Sequence, residues 1–371
     1  MKIAQVAPLY ESVPPPGYGG TERVVSWLTE ELIRLGHDVT LFASGDSQTR
    51  ARLISPCPQS LRTSPGCQDF LAHHMVMLDQ LRKRRHQFDI IHFHTDYLHF
   101  PLCREWEQSN ITTLHGRLDL PDLKPLYRTF SDIPVVSISY QQRRPLPEAG
   151  WVGNVYHGLP ERSLPLKAVP QDYLAFIGRI SPEKRPDRAI EIARLAGMEL
   201  KMFAKIDRAD RAYFEERIEP LLHQPHVTFI GEIGDDKKAH YLGNAVASIS
   251  PIDWPEPFGL NMIEAMACGT PTIAFRHGSV PEIIDDGVSG LIVDTMEDAV
   301  RAVEKAKSMS RELCRNTFER RFTARRMADD YLKLYRHVIG RDQSLSVRTS
   351  EMPTLSGDAE QDQSSFAENA A

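Results

Sequence analysis

The stretch Pro255–Pro271, PEPFGLNMIEAMACGTP, decides how this chain is read. It sets two carboxylates, Glu256 and Glu264, eight positions apart around the start of a helix. Pro255 and Pro257 stiffen the approach, and Gly259 lets the backbone come close to a ligand. From Leu260 the run LNMIEAMACG forms helix well and is stopped by Gly269 and Pro271. Free N–H groups around 258–260, together with the helix dipole, make an anion site for which phosphate is the natural occupant. A glycosidase-like pair of acids is the rival chemistry. In a continuous helix, eight residues separate the two backbones by about 12 Å, beyond the roughly 5–9.5 Å between working carboxyls in glycosidases. Side chains or a loop shorten such a gap, but acids flanking a phosphate site suit another task better. A carboxylate accepts hydrogen bonds from two adjacent hydroxyls, and a sugar nucleotide offers diols on both sides of its diphosphate.

A diphosphate also needs positive charge. FIGRISPEKRPDRA supplies Arg179 at a strand end and Lys184 in the turn before a helix. Paired cations at the carboxyl end of a domain's first strand neutralise a leaving diphosphate; read alone, they are two solvated surface charges. Near the N-terminus, PPPGYGGTE places Gly19 and Gly20 between the first strand and its helix, with Thr21 as N-cap. That backbone suits donor phosphate or a phosphorylated acceptor, or is simply a tight connection. Glycines at 17, 19 and 20 do not make the G-x-G-x-x-G dinucleotide fingerprint.

Outward from these motifs, short β-branched runs alternate with amphipathic segments, the pattern of parallel sheets with helices on both faces. The first half carries KIAQVAP, HDVTLFAS, FDIIHFH, ITTLHG, PVVSIS and GNVYHG. The second carries YLAFIGR, ELKMFAK, VTFIGEI, ASISPI, TPTIAF and GLIV. In the helix after the first strand, Val24, Val25, Leu28 and Leu32 share a face and Gly36 supplies the stop. Residues 44–67 read as a long excursion. The Pro-rich stretch 159–171 reads as a linker. The expected organisation is an N-terminal doubly wound domain over 1–160 and a C-terminal one over 161–322. A helix over 323–340 returns to the first domain, and a disordered tail spans 341–371. Two such domains in tandem leave a cleft between them, with ligands at the carboxyl ends of the strands.

Composition narrows the function classes. The 371 residues are 41% hydrophobic and 25% charged with a net charge of -6, which does not suggest a nucleic-acid binder. Five widely spaced cysteines without a C-x-x-C fit reduced thiols, and the Asn110–Thr112 sequon is then chance. MKIAQVAPLY does not read as a signal peptide, and no run reaches the roughly 18–20 apolar residues of a membrane span. A cytoplasmic protein is expected.

Here the motifs converge on a family. Glu256-Pro-Phe-Gly-Leu…Glu264-Ala-Met-Ala-x-Gly-x-Pro resembles the E-x7-E signature of glycosyltransferase family 4. Gly178-Arg179…Glu183-Lys184 resembles that family's basic donor-phosphate element, and GYGGTERVV, IIHFH, TTLHG, VTFIGEI, GNAVASISPI and GSVPEIIDDGVSGLIV fall in its order. The resemblance covers essentially residues 1–340. It implies two facing Rossmann-like domains, the GT-B fold, and a retaining transfer of a hexose from a nucleotide diphosphate sugar, a UDP-sugar favoured. Arg179 and Lys184 would bind the donor diphosphate with the N–H groups of Phe258, Gly259 and Leu260. Glu264 would hold the ribose, Glu256 the transferred sugar beside the reacting carbon, His115 the sugar from the first domain, and Ile233 the base through its backbone. The family usually needs no metal, and no obligatory cofactor is expected. A small molecule, saccharide or lipid is the expected acceptor. Its identity, the sugar, the nucleotide and the oligomeric state stay open. A sugar-nucleotide epimerase of the same fold and an inactive sugar-nucleotide-binding subunit are the alternatives.

The remaining signals have plainer readings. His92, His94, Asp96 and His99 offer an imaginable metal site but read as structural histidines at a cleft edge. Asp235–Asp236 and Asp285–Asp286 read as caps and solvated acids. The basic stretch 81–87 (LRKRRHQ), following the mostly apolar FLAHHMVMLDQL, is a solvated helix end or a peripheral patch for anionic lipid head groups. QQRRP over 141–145 adds to that face or lines an acceptor pocket.

Overall fold

The computed structural model describes residues 1–17 and 19–350, with 235–236 and 341–350 described as backbone alone. Two wholly parallel sheets organise it. The first contains β1 (Lys2–Val6), β2 (Asp38–Phe42), β3 (Arg52–Ile54), β4 (Ile90–Phe93), β5 (Asn110–Thr113), β6 (Val135–Ser137) and β7 (Trp151–Asn154) in the order β3-β2-β1-β4-β5-β6-β7. The second contains β8 (Tyr173–Arg179), β9 (Glu199–Lys205), β10 (Val227–Phe229), β11 (Ala247–Ser250), β12 (Thr272–Phe275) and β13 (Gly290–Val293) in the order β10-β9-β8-β11-β12-β13. Most central strands are buried along their length, as expected where helices cover both faces.

The direction of winding reverses between β1 and β4 in one sheet and between β8 and β11 in the other. Connections leave such a switch point in opposite directions, so the loops after these strands part and open a crevice. The four loops that diverge there carry Gly17–Gly20, His94–Asp96, Arg179–Lys184 and Pro255–Gly259.

Helix α1 (Gly20–Arg34) buries Val24, Val25, Leu28 and Leu32, and Gly36 beyond it has φ +83°. Helix α2 (Phe70–Arg84) covers the far side of the first sheet with Met77, Leu78 and Leu81. Helix α3 (Leu260–Ala267) packs Met262, Ile263 and Met266 into the second domain's core. The last helix, α4 (Ala324–Ser350), places Met327, Tyr331, Leu332 and Tyr335 in the first sheet's core with Ile3, Val24 and Leu28. The outgoing and returning segments run side by side: Leu159 N donates to Phe322 O and Ala324 N to Leu159 O. A Cβ on Gly158 would lie 2.2 Å from Thr323 O, so only glycine permits that approach.

Four boundaries differ from the sequence expectation. Helix α1 begins at Gly20 with Gly19 at the cap position, so Thr21 lies inside its first turn and does not cap it. β3 lies inside the 44–67 excursion, because Arg52-Leu53-Ile54 pairs with Thr40–Phe42 as a short edge strand. The last strand of the first sheet is Trp151–Asn154, earlier than the expected 153–158, with a register shift between Val135 and Val136. Helix α4 runs on to Ser350, past the tail's expected start at 341, and residues 351–371 lie outside the described part.

Candidate active site

Gly259 caps α3 in the left-handed region (φ +84°), where a Cβ would lie 2.3 Å from Met262 Cε. The chain therefore turns into the helix directly from the Pro255–Phe258 loop. Glu256 sits in that loop and Glu264 in the second turn of α3, 9% and 6% exposed. Each carries a cation. Lys184 donates to Glu256 Oε2, which also accepts from Trp254 Nε1 at 3.1 Å, and the Lys184 ammonium stands 4.9 Å over the Trp254 ring. Lys238 donates to Glu264 Oε1 at 2.7 Å. Largely buried carboxylates need such partners.

The Glu256 loop is held from behind. Ser279 N donates to Glu256 O and Ser279 Oγ to Phe258 O. Gly278, at φ +54°, lies so close that a Cβ would stand 2.3 Å from Glu256 N. From the first domain, Ser139 Oγ donates to Pro257 O at 2.7 Å. Glu282 accepts from Tyr140 N, Gln141 N and Tyr156 OH at 2.6–3.0 Å. The two domains thus share a hydrogen-bonded hinge edge beside the site.

Arg179, at the end of β8, donates to Glu183 and lies 3.1 Å from Asp210. Burial would raise the Glu183 carboxyl, but its own backbone N–H, Ser181 and Arg179 together hold it below the usual range. Opposite lie Gly17, Gly19, Gly20 and Arg23, whose guanidinium donates to Gly17 O at 2.5 Å. His115 follows β5, and its ring stacks on His157 with centroids 5.2 Å apart. Burial pushes the His115 imidazole down to about 3 and holds His157 well below the ordinary range, so both stay neutral at working pH.

These groups line one cleft of about 410 Å³ between the sheets. Glu256, His115, Arg179, Lys184, Ile233, Phe258, Gly259, Leu260, Glu264, Gly19 and Gly20 all lie on its wall. A second cavity of about 260 Å³ adjoins it at Arg117, Glu256 and Pro257 and is lined by Gln141, Gln142 and Arg144. Several wall residues were not legible in sequence. Lys238 lies in a helix between VTFIGEI and GNAVASISPI, where no motif marked it, and only the fold brings it to Glu264. Trp254, just ahead of the Pro255–Pro271 motif, also lines the cleft. Arg23 stood in GYGGTERVV without a role.

Away from the cleft wall, the histidines at 92 and 99 and the Asp285–Asp286 pair keep the plainer readings, while the Asp235–Asp236 side chains lie outside the described part. His92 Nδ1 and Nε2 meet Tyr335 and Thr113, and His99 stacks on Phe93 at 3.6 Å with Nε2 on Thr112. Asp285 and Asp286 serve a turn and the Arg320 and Arg321 side chains. Helix α2 ends in Arg82, Lys83 and Arg84, and Arg82 and Lys83 both pair with Asp79. Among the described residues no helix is long and apolar enough to cross a membrane.

Comparison with known proteins bears on the same cleft. Residues 162–321 match the family described as glycosyl transferases group 1, and residues 18–177 match glycosyltransferase family 4. D-inositol 3-phosphate glycosyltransferase of Saccharomonospora viridis is 31% identical over 193 residues, 46% of this chain and 44% of that protein. The chain spans less than half the length of the curated relatives it matches first. Sucrose-phosphate synthase from Thermosynechococcus elongatus superposes with a TM-score of 0.77 at 19% identity, covering 92% of this chain and all of that one. Anabaena HepE in complex with UDP and glucose gives 0.67 at 16%, covering 95% and 100%. At such identities the likeness shows the fold, which is GT-B. The two family matches meet across the cleft, one supplying each wall, and the chain belongs to glycosyltransferase family 4.

Proposed function

We propose that the protein is a retaining hexosyltransferase that uses a nucleotide diphosphate sugar, a UDP-sugar favoured, and a saccharide, small-molecule or lipid acceptor. One observation carries the reading. Glu256 and Glu264 flank the N-terminus of α3 in a single cleft with Arg179, Lys184 and the first domain's His115 and Gly19–Gly20. In this reading the diphosphate lies on the N–H groups of 258–260 and draws Arg179 and Lys184 to it. Glu264 accepts from the ribose diol and Glu256 from the transferred sugar. Ile233 meets the base through its backbone. Complexes of HepE with UDP and with UDP-glucose support the choice of nucleotide.

Catalysis rests on positioning and on stabilising the departing diphosphate. The neutral His115 does not act as a general acid. The leaving phosphate oxygen takes the acceptor's proton on the face where the new bond forms, which retains configuration. Calorimetric titration with UDP, GDP and ADP, with and without magnesium, tests the donor site. Binding of one nucleotide, weakened in Arg179→Ala, is expected; binding of none would sink the assignment. Anomeric configuration of the product, read by NMR once an acceptor is found, tests retention.

A further inference from the structure

We propose that Gln5, His94 and Tyr335 are positioning residues that fix His115 in one tautomer, so that its Nδ1 meets a donor-site ligand only as a hydrogen-bond acceptor. The proposal rests on reading the cleft as the sugar-nucleotide site.

The argument is a count of protons along one buried chain. His94 Nε2 lies 2.8 Å from Gln5 Oε1. An amide oxygen only accepts, so His94 Nε2 carries the hydrogen. A neutral imidazole has a single N–H, which leaves His94 Nδ1 bare. Burial, with His92, His115 and His157 close by, holds His94 neutral. Its bare Nδ1 therefore accepts from His115 Nε2, 2.8 Å away. His115 is neutral too, and its hydrogen is spent on His94. Nδ1 is left as a lone pair, closed off from solvent and without a hydrogen-bond partner among the described residues. The ring that carries it lines the cleft.

What holds Gln5 in this orientation lies further in. Its Nε2 donates to Tyr335 OH at 3.1 Å. The phenol lies 2.8 Å from His92 Nδ1, His92 Nε2 lies 2.7 Å from Thr113 Oγ1, and Thr113 in turn meets Tyr331 OH at 2.8 Å. The Tyr335 and Thr113 hydroxyls can each donate and accept, so the direction of the chain toward the cleft rests on the Gln5 amide, whose Nε2 faces Tyr335 and whose Oε1 faces His94. Tyr335 on α4 is the partner that holds that amide. The anchoring tyrosines belong to the helix that returns from the second domain, so completing the fold sets the chemistry of a nitrogen in the first.

The consequence is selectivity. A bare nitrogen accepts from a hydroxyl and repels a phosphate oxygen. A donor group that reaches this nitrogen must bring a hydrogen, which a hydroxyl of the transferred sugar has and a diphosphate oxygen lacks. A donor lacking or blocking that hydroxyl leaves a lone pair facing a lone pair.

The test is a long-range proton–nitrogen correlation spectrum of the full chain labelled with ¹⁵N-histidine, at neutral pH and without ligand. The expected His115 signature is a protonated Nε2 and a bare Nδ1, with His94 in the same sense. A protonated His115 Nδ1 would overturn the proposal. Gln5→Leu and Tyr335→Phe should each mix the His115 tautomers, whereas Gln5→Glu, which still presents an acceptor to His94, should keep the wild-type pattern. An unchanged His115 signature in both disrupting variants would also overturn it. In Gln5→Leu, UDP affinity should stay within about twofold while turnover of UDP-glucose hydrolysis falls about tenfold, the worth of one ordinary hydrogen bond. An equal loss of both would mark a merely structural role. Failure of the wild-type protein to bind UDP would remove the donor-site reading and leave the tautomer result standing.

Discussion

Glu256 and Glu264 share a helix N-terminus but hold different cations, and that difference separates their expected phenotypes. A ribose diol gives two hydrogen bonds to a charged acceptor, each worth about 1.5–3 kcal/mol. Glu264→Ala should therefore weaken nucleotide binding by roughly a hundredfold or more, read by calorimetry. Lys184 stands by Glu256 and acts on charge that develops as the diphosphate leaves. Lys184→Ala should lower turnover of donor hydrolysis about 10²–10³-fold with a much smaller change in UDP affinity. If both variants kept wild-type rates and affinities, the site would be misassigned. Gly278 is a residue-scale prediction about stability. Its φ of +54° and the 2.3 Å approach to Glu256 N leave no room for a side chain. Gly278→Ala should cost about 2–4 kcal/mol and lower the Tm by several degrees, while displacing the Glu256 loop.

At the scale of elements, α2 is unusual because it is apolar on the outside as well as the inside. Met77, Leu78 and Leu81 face the core, whereas Phe70, Leu71, Met75 and Val76 are 36–51% exposed. Arg82 and Lys83 end the same helix. An apolar strip beside basic residues suits the surface of an anionic membrane. Sedimentation with phosphatidylserine-containing vesicles should carry the protein down. Leu71→Glu with Val76→Glu should reduce that partition at least about tenfold, since each buried aliphatic side chain is worth about 1.5–3 kcal/mol. Absence of vesicle binding by the wild-type protein would make the strip ordinary surface.

For the whole molecule, acid sensitivity follows from its buried imidazoles. His92, His94, His99, His115 and His157 are held well below the ordinary imidazole value, chiefly by burial. The unfolded chain binds their protons below about pH 6.5 and the folded chain does not, so stability falls as pH falls through that range. Glu22 has the opposite sign: burial lifts its carboxyl to about 7, so the folded state binds its proton first and gains as pH drops below that value. Asp96, lifted by burial to about 6, acts in the same sense as Glu22. At about 1.4 kcal/mol per proton and pH unit, five against two leaves a loss of about 4 kcal/mol per unit below pH 6. Against a typical stability of 5–15 kcal/mol, acid unfolding should begin one to three units below pH 6.5. Urea midpoints measured from pH 7.5 to 5 check this, and a flat profile would contradict it.

Local chemistry determined a good part of this protein from sequence alone. β8, β9 and β13 start and end where their apolar runs do, because β-branched stretches between turn residues leave no competing pattern. Pro255–Pro271 yields a helix start, an anion site and two acids because proline, glycine and helix-forming residues act within a few positions of themselves. β3 was not legible, since three residues at a sheet edge owe their conformation to β2 and not to any period of their own. The continuation of α4 to Ser350 was equally hidden behind a polar composition. Only the tertiary structure decided which charges meet. Lys184 reaches Glu256 across 72 positions and Lys238 reaches Glu264 across 26, and the chain Tyr331–Thr113–His92–Tyr335–Gln5–His94–His115 joins residues up to 330 positions apart. Such pairings depend on how strands order in a sheet and where the last helix docks. Those are set by the burial of whole faces, which no single stretch of the sequence contains.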